Sequence, residues 1–254
     1  MQLSSFVLYG LYVFVALVLF LLYFNRRTIS VYANRPTFIS SVYQQDYKVI
    51  LHDKKHLASM GISYVFFLSS LFANYLAIHI ALIDAGNATT DILLDHLPLI
   101  NTDFVFTEGA LVFVILVTFL LLIRPRTATF TLKSITLLIY TRALFVIMTH
   151  LAPYPDHIST DLARFQYFSS GSDLFFSGHT AIPFMLALIF WNVKNLRIFF
   201  ILCSFVAACA VLFGHMHYTI DVFAAYFITY GVYCIARYCF KTDHQYFKDS
   251  CHSE

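Results

Sequence analysis

Two short polar clusters interrupt otherwise apolar sequence: Ser169 to Thr180, which ends in Ser177-Gly178-His179-Thr180, and Gly214 to Asp221, which contains His217-Tyr218-Thr219-Ile220-Asp221. His217 and Asp221 are four residues apart, a spacing that on a helix puts both on one face, with the carboxylate able to hold an imidazole nitrogen. Such a carboxylate fixes the tautomer and makes the other ring nitrogen more nucleophilic, able to attack phosphorus. A second histidine, His179, can then supply the proton that a departing alkoxide needs. An unprotonated alkoxide leaves poorly near neutral pH, and a placed general acid contributes about 10²–10⁴ in rate. Each histidine taken singly fits equally well as a helix cap or a partner for backbone groups. The two clusters together favour chemistry.

The elements that must position these residues are membrane spans. Of 254 residues, 59% are hydrophobic and 12% charged, and the mean hydropathy is +0.73, well outside the range of a soluble domain. Apolar runs near the length needed to cross the hydrocarbon fall at roughly 6–24, 58–83, 104–123, 132–151, 175–193, 197–214 and 218–239. The first run is long, is followed by Arg26 and Arg27, and reads as a retained anchor rather than a signal peptide. Lys and Arg alternate between the connecting segments: fourteen of the sixteen fall on one side, Arg164 falls on the other, and Arg142 lies within the fourth run. The positive-inside rule then places the N-terminus outside, the C-terminus inside, and both polar clusters at the non-cytoplasmic ends of spans five to seven. Asp221 at the membrane edge is costly unless paired, which favours a functional pair with His217.

The expected fold is all-α, a polytopic membrane helix bundle. Residues 1–57 form an N-terminal span and cytoplasmic segment, 58–240 a six-span catalytic core, and 241–254 a cytoplasmic tail. A net charge of +2 does not argue for a nucleic-acid partner. Cys203, Cys209, Cys234 and Cys239 lie in apolar runs and Cys251 in the tail, so no exterior disulfide is expected. His179, His215 and His217 could be taken for metal ligands, but histidines two apart on a helix point to different sides and no Cys or acidic cluster completes the set. No metal or cofactor is expected. A transporter would show paired half-repeats or Gly- and Pro-broken helices, and neither is visible.

Ser177-Gly178-His179-Thr180 and His217-Tyr218-Thr219-Ile220-Asp221-Val222, with Ala225-Tyr226 following, resemble the active-site motifs of the sphingomyelin synthase family, a branch of the type 2 phosphatidic acid phosphatase superfamily. The resemblance extends from about Leu94 to Phe240. It is reinforced by Asp173 six residues before His179, and more weakly by Tyr140-Thr141-Arg142 and Leu97-Pro98-Leu99. It implies a six-span core with one added N-terminal span, and a double displacement that moves phosphocholine or phosphoethanolamine from a glycerophospholipid to ceramide or another lipid alcohol. In that scheme His217 is the nucleophile, Asp221 its orienting partner, and His179 the acid that protonates the diacylglycerol leaving group and then deprotonates the acceptor. The same site resolved by water would make a lipid phosphatase or a phospholipase C-like hydrolase. The membrane would be Golgi or plasma membrane in a eukaryote and inner membrane in a bacterium. A homo-oligomer is compatible with the scheme.

The superfamily's soluble phosphatases carry a Ser-Arg pair ahead of the nucleophilic histidine, where this chain has Ala210 and Val211. A phosphodiester has one negative charge fewer than a monoester and requires fewer cations. Arg142 is the candidate for that role, since a lone Arg midway along a span points into the bundle toward a partner; an internal ion pair with Glu108 or an Asp is the alternative. Arg142, Asp173 and Tyr218 are thus the candidate substrate-binding residues. An ordinary helix N-terminal acid is the other reading of Asp173.

Overall fold

A computed structural model describes residues 47–48, 50, 52–83, 86–149, 151–155 and 175–252. The span expected over 6–24, together with His150, Arg164 and Asp173, lies outside the described residues. Helices run α1 (Lys54–Ile83), α2 (Ala110–Ile123), α3 (Pro125–Met148), α4 (Gly178–Ile189), α5 (Lys194–Phe213), α6 (Thr219–Cys239) and α7 (Lys241–His252). A π-helical stretch, Val105–Gly109, leads into α2. No strand occurs among the described residues. Five helical segments there are long and apolar enough to cross a membrane: Lys54–Ala81, Val105–Ile123, Pro125–Met148, Lys194–Phe213 and Thr219–Cys239. The chain is a multi-pass membrane protein.

α3 is the centre of the bundle, packed on α1, α2, α4, α6 and α7. It begins at Pro125, seven residues before the apolar run expected from Leu132. A proline at the first helical position has no N–H to satisfy and a φ already suited to the helix. Its first turns carry buried hydroxyls among the apolar residues, and three of them fold back on the helix: Thr127 donates to the Arg124 carbonyl at 2.7 Å, Thr131 to Thr127 at 2.8 Å and Ser134 to Phe130 at 2.8 Å. Intrahelical bonding of this kind lets polar residues be buried without a partner on another helix. α1 meets α3 along Ser63, Ser70, Ala77 and Ala81, small residues at spacings of seven and four that let two backbones approach closely. The opposite face of α1 exposes Val65, Leu68 and Phe72, each more than 60% accessible, which is a lipid-facing surface.

The apolar run expected over 175–193 is a shorter object. α4 has 12 residues, about 18 Å of helix against a hydrocarbon thickness of about 30 Å. It can be short because it is enclosed by protein: Ala181, Met185, Leu186 and Ala187 are fully buried against α5 and α6. The tail expected after residue 240 contains a helix, α7, which returns Phe247 to the core beside Phe130 and Phe190. At this end Lys133 lies 2.6 Å from the Asp243 carboxylate, with Ser59 bridging to both, so α1, α3 and α7 are tied together.

Candidate active site

α4 enters the bundle, α5 returns, and α6 enters again, so the N-termini of α4 and α6 lie at the same end. They are joined directly: the Ser177 N–H donates to the Asp221 carbonyl at 3.3 Å. The two polar clusters of the sequence therefore meet. His179 is the second residue of α4 and packs its ring on Phe106 at 4.0 Å between centroids; Phe106 in turn clusters with Val222 of α6. His217 and Arg142 are the ionisable groups close enough to interact with His179 across the site.

His217 and Asp221 are in contact, Nδ1 to Oδ2 at 3.4 Å, both buried. The route to that contact differs from the expected face of one helix. α6 starts at Thr219 with Tyr218 as its N-cap, so His217 lies outside the helix. Asp221, three residues into the cap, folds back over the helix start, and its Oδ2 accepts the Tyr218 N–H at 3.1 Å while facing the imidazole. An acid at this position offsets the unpaired amides of the first turn. One carboxylate oxygen thus caps the helix and orients the histidine. The other, Oδ1, is buried with no hydrogen-bond partner among the described residues.

Arg142 is buried and positions the other half of the site. Its Nε donates to the Phe176 carbonyl at 3.0 Å and its Nη1 to the Asn74 side chain at 2.8 Å. Asn74, an amide on α1, is thus one partner from another helix. The Ser177-Gly178-His179 turn lies directly against the guanidinium: a Cβ at Gly178 would stand 3.2 Å from Arg142 Nε. Glycine here allows Arg142 to reach the backbone that precedes His179.

Tyr218 is buried, and its hydroxyl is committed to the loops at this end, donating to the Ala152 carbonyl at 2.9 Å and accepting the Thr89 N–H at 3.2 Å. This places Tyr218 as the pin for two connecting segments. Asp173 lies outside the described residues.

Two residues at this end, Asp91 and Thr102, carry no sequence signal that marks them, and a third, His215, takes a structural part that its place in the polar cluster did not indicate. Asp91 is one acid among several in a polar loop, yet it is 8% exposed and accepts both the Thr219 N–H and hydroxyl at 2.6 Å, as well as the Leu93 and Leu94 amides. Burial pushes its carboxyl up, but the bonds from Thr219, Leu94 and Leu93 outweigh that and hold it below its usual value of 3.8. Thr102 crosses the C-terminus of α5 and donates to the Ala210 carbonyl at 2.7 Å; a Cβ at Gly214 would stand 2.6 Å from its Oγ1. His215 takes the left-handed conformation, φ 51°, that ends α5: its N–H reaches Leu212 and that of Met216 reaches Val211, a pairing most often built on glycine. That turn sets the chain direction into His217.

Among the described residues no group of His, Cys, Asp and Glu is arranged to hold a metal ion. Comparison with curated proteins and with solved structures returned no match. Residues 171–238, the stretch that carries both motifs and helices α4 to α6, match the model of the PAP2 superfamily C-terminal family and are similar to that family over this region.

Proposed function

We propose that the protein is a lipid head-group phosphotransferase that forms a phosphohistidine on His217. The observation that carries this reading is the joining of the His217–Asp221 pair to the Ser177–His179 turn at one end of a membrane bundle. Similarity to the PAP2 superfamily C-terminal family supports lipid phosphatase or phosphotransferase chemistry.

With Nδ1 held by Asp221, Nε2 is the nitrogen left to attack. In the first step a P–N bond forms between Nε2 and the donor's phosphorus as the P–O bond to diacylglycerol breaks, and His179 protonates the departing oxygen. Asp221 offsets the positive charge that the ring acquires. In the second step His179 takes the proton of an acceptor hydroxyl, that oxygen attacks phosphorus, and the P–N bond breaks to return His217. Donor and product each carry one phosphodiester, so charge and protons balance.

The two helix starts differ in a way that orients the phosphate. The N-terminus of α6 is already served by two carboxylates, Asp221 and Asp91. The N-terminus of α4 has no acid in its first turn and no side-chain cap, and Arg142 lies beneath it. Its amides are the site's favourable place for phosphate oxygens. Burial of His217 and Asp221 supports transfer to a lipid hydroxyl over capture by water.

The test is head-group-labelled donor lipid presented to the purified chain in vesicles, with and without ceramide. Label should pass to ceramide, and His217→Ala and His179→Ala should each abolish transfer while the protein remains inserted. Release of water-soluble head group without any acceptor would identify a hydrolase using the same residues. Full transfer by His217→Ala would refute the phosphohistidine.

A further inference from the structure

The end of the bundle opposite the site carries a second polar feature that the proposed reaction does not use. α6 is 21 residues long, so its C-terminus lies about 32 Å from its start, close to the full hydrocarbon thickness. There the chain turns at Phe240 into α7, and a groove of about 550 Å³ opens along the junction. Arg237 of α6 and Lys241, His244 and Lys248 of α7 line it, the last three at spacings of three and four residues that keep them on one side of α7. Arg237, Lys241 and Lys248 are exposed. The acid nearest in sequence, Asp243, is turned inward onto Lys133 and Ser59, which leaves Asp249 as the one carboxylate in the lining among the described residues.

We propose that this groove binds the phosphate-bearing head group of an anionic glycerophospholipid from the leaflet at that end of the bundle. Among the described residues of the lining, Arg237, Lys241 and Lys248 outnumber the carboxylate of Asp249, a balance that favours an anion. Position selects a lipid: the groove lies where a membrane span ends, Tyr238 in its lining is 85% exposed, and Ile235 one turn back on α6 is 53% exposed, an apolar flank for acyl chains with an aromatic at the interface. The volume falls in the range of small-molecule sites. Basic clusters just beyond a span attract acidic lipids, and each cation near the surface strengthens binding about fivefold. His244 adds little charge at neutral pH, since burial, with Lys248 and Arg237 nearby, pushes its imidazole below the usual value.

The experiment uses the full chain in nanodiscs of phosphatidylcholine doped with phosphatidylserine, with retained lipids counted by native mass spectrometry. Wild type should keep phosphatidylserine in preference to phosphatidylcholine. The triple variant R237Q/K241Q/K248Q should weaken that retention on the order of 100-fold, by loss of three cations. Lys194→Gln, at the same end but outside the groove, should leave it unchanged. Asp249→Lys should tighten it at least fivefold, a gain that misfolding cannot produce. Equal retention by wild type and triple variant, no gain in Asp249→Lys, or displacement of the lipid by inorganic phosphate as readily as by added phosphatidylserine would overturn the proposal; the last would mark a site for soluble phosphate.

Discussion

Gly178 shows how little room separates the two halves of the site. A methyl group there meets Arg142 Nε at 3.2 Å, and Arg142 is held by Phe176 and Asn74, so the guanidinium has few directions in which to yield. Overpacking of this kind costs about 1–3 kcal/mol. Gly178→Ala should lower the thermal midpoint of the purified chain and reduce transfer at least tenfold by displacing the turn before His179. Activity and midpoint both equal to wild type would show that Arg142 moves freely and does not position that turn. Asp221 has a comparable economy. Its Oδ2 serves the Tyr218 amide and the His217 ring together, so a substitution there disturbs a helix start and the proposed nucleophile in one change.

At the scale of elements, the start of α6 is set by residues from other segments as much as by its own. Asp91 reaches it from the loop between α1 and α2 with two bonds of 2.6 Å to Thr219. Asp91→Ala should cost about 0.5–2 kcal/mol, as loss of an N-cap side chain does. It should also lower turnover, because His217 is two residues from Thr219. The Asp91 carboxyl is held below its usual value, so its stabilising contribution is complete above about pH 3.8 and is withdrawn as pH falls through the folded-state value. Protection of the Leu93, Leu94 and Thr219 amides, taken relative to their intrinsic exchange rates at each pH, should therefore fall below about pH 3.8 in wild type. In Asp91→Ala that protection should already be low at neutral pH. Protection that is the same in both proteins at pH 7 would rule out the cap.

For the whole molecule, two polar constellations sit at opposite ends of an apolar bundle and are connected through α3. Arg142 belongs to the end that holds His179, and Lys133 to the end that holds α7. The Lys133–Asp243 pair is nearly buried, with side chains 11% and 9% exposed. Removing one member of such a pair leaves a desolvated charge and costs about 3–5 kcal/mol. Asp243→Ala should therefore release α7, lower the thermal midpoint and make the 241–252 segment sensitive to protease. Replacing both, as Lys133→Met with Asp243→Leu, should recover most of the loss. If the single and double variants melt together, the pair is not what docks α7.

Much of this protein was legible one residue at a time. Hydropathy and the length of each run mark six spans between residues 58 and 239, and five of them are helices long and apolar enough to cross, because a segment that crosses hydrocarbon must be apolar over its whole length. The Ser-Gly-His-Thr and HisxxxAsp stretches stand out because polar groups are rare in such sequence. The tertiary structure alone decided what those groups touch. Apolar composition did not reveal that α4 is half a span, since an enclosed helix and a lipid-facing one are written in the same residues. A spacing of four suggested one helical face for His217 and Asp221, yet their contact comes from a cap in which Asp221 folds back across the helix start. Asn74, Asp91 and Gly178 could not be assigned their parts beforehand, because each acts across a separation of 36 to 128 residues that only packing closes.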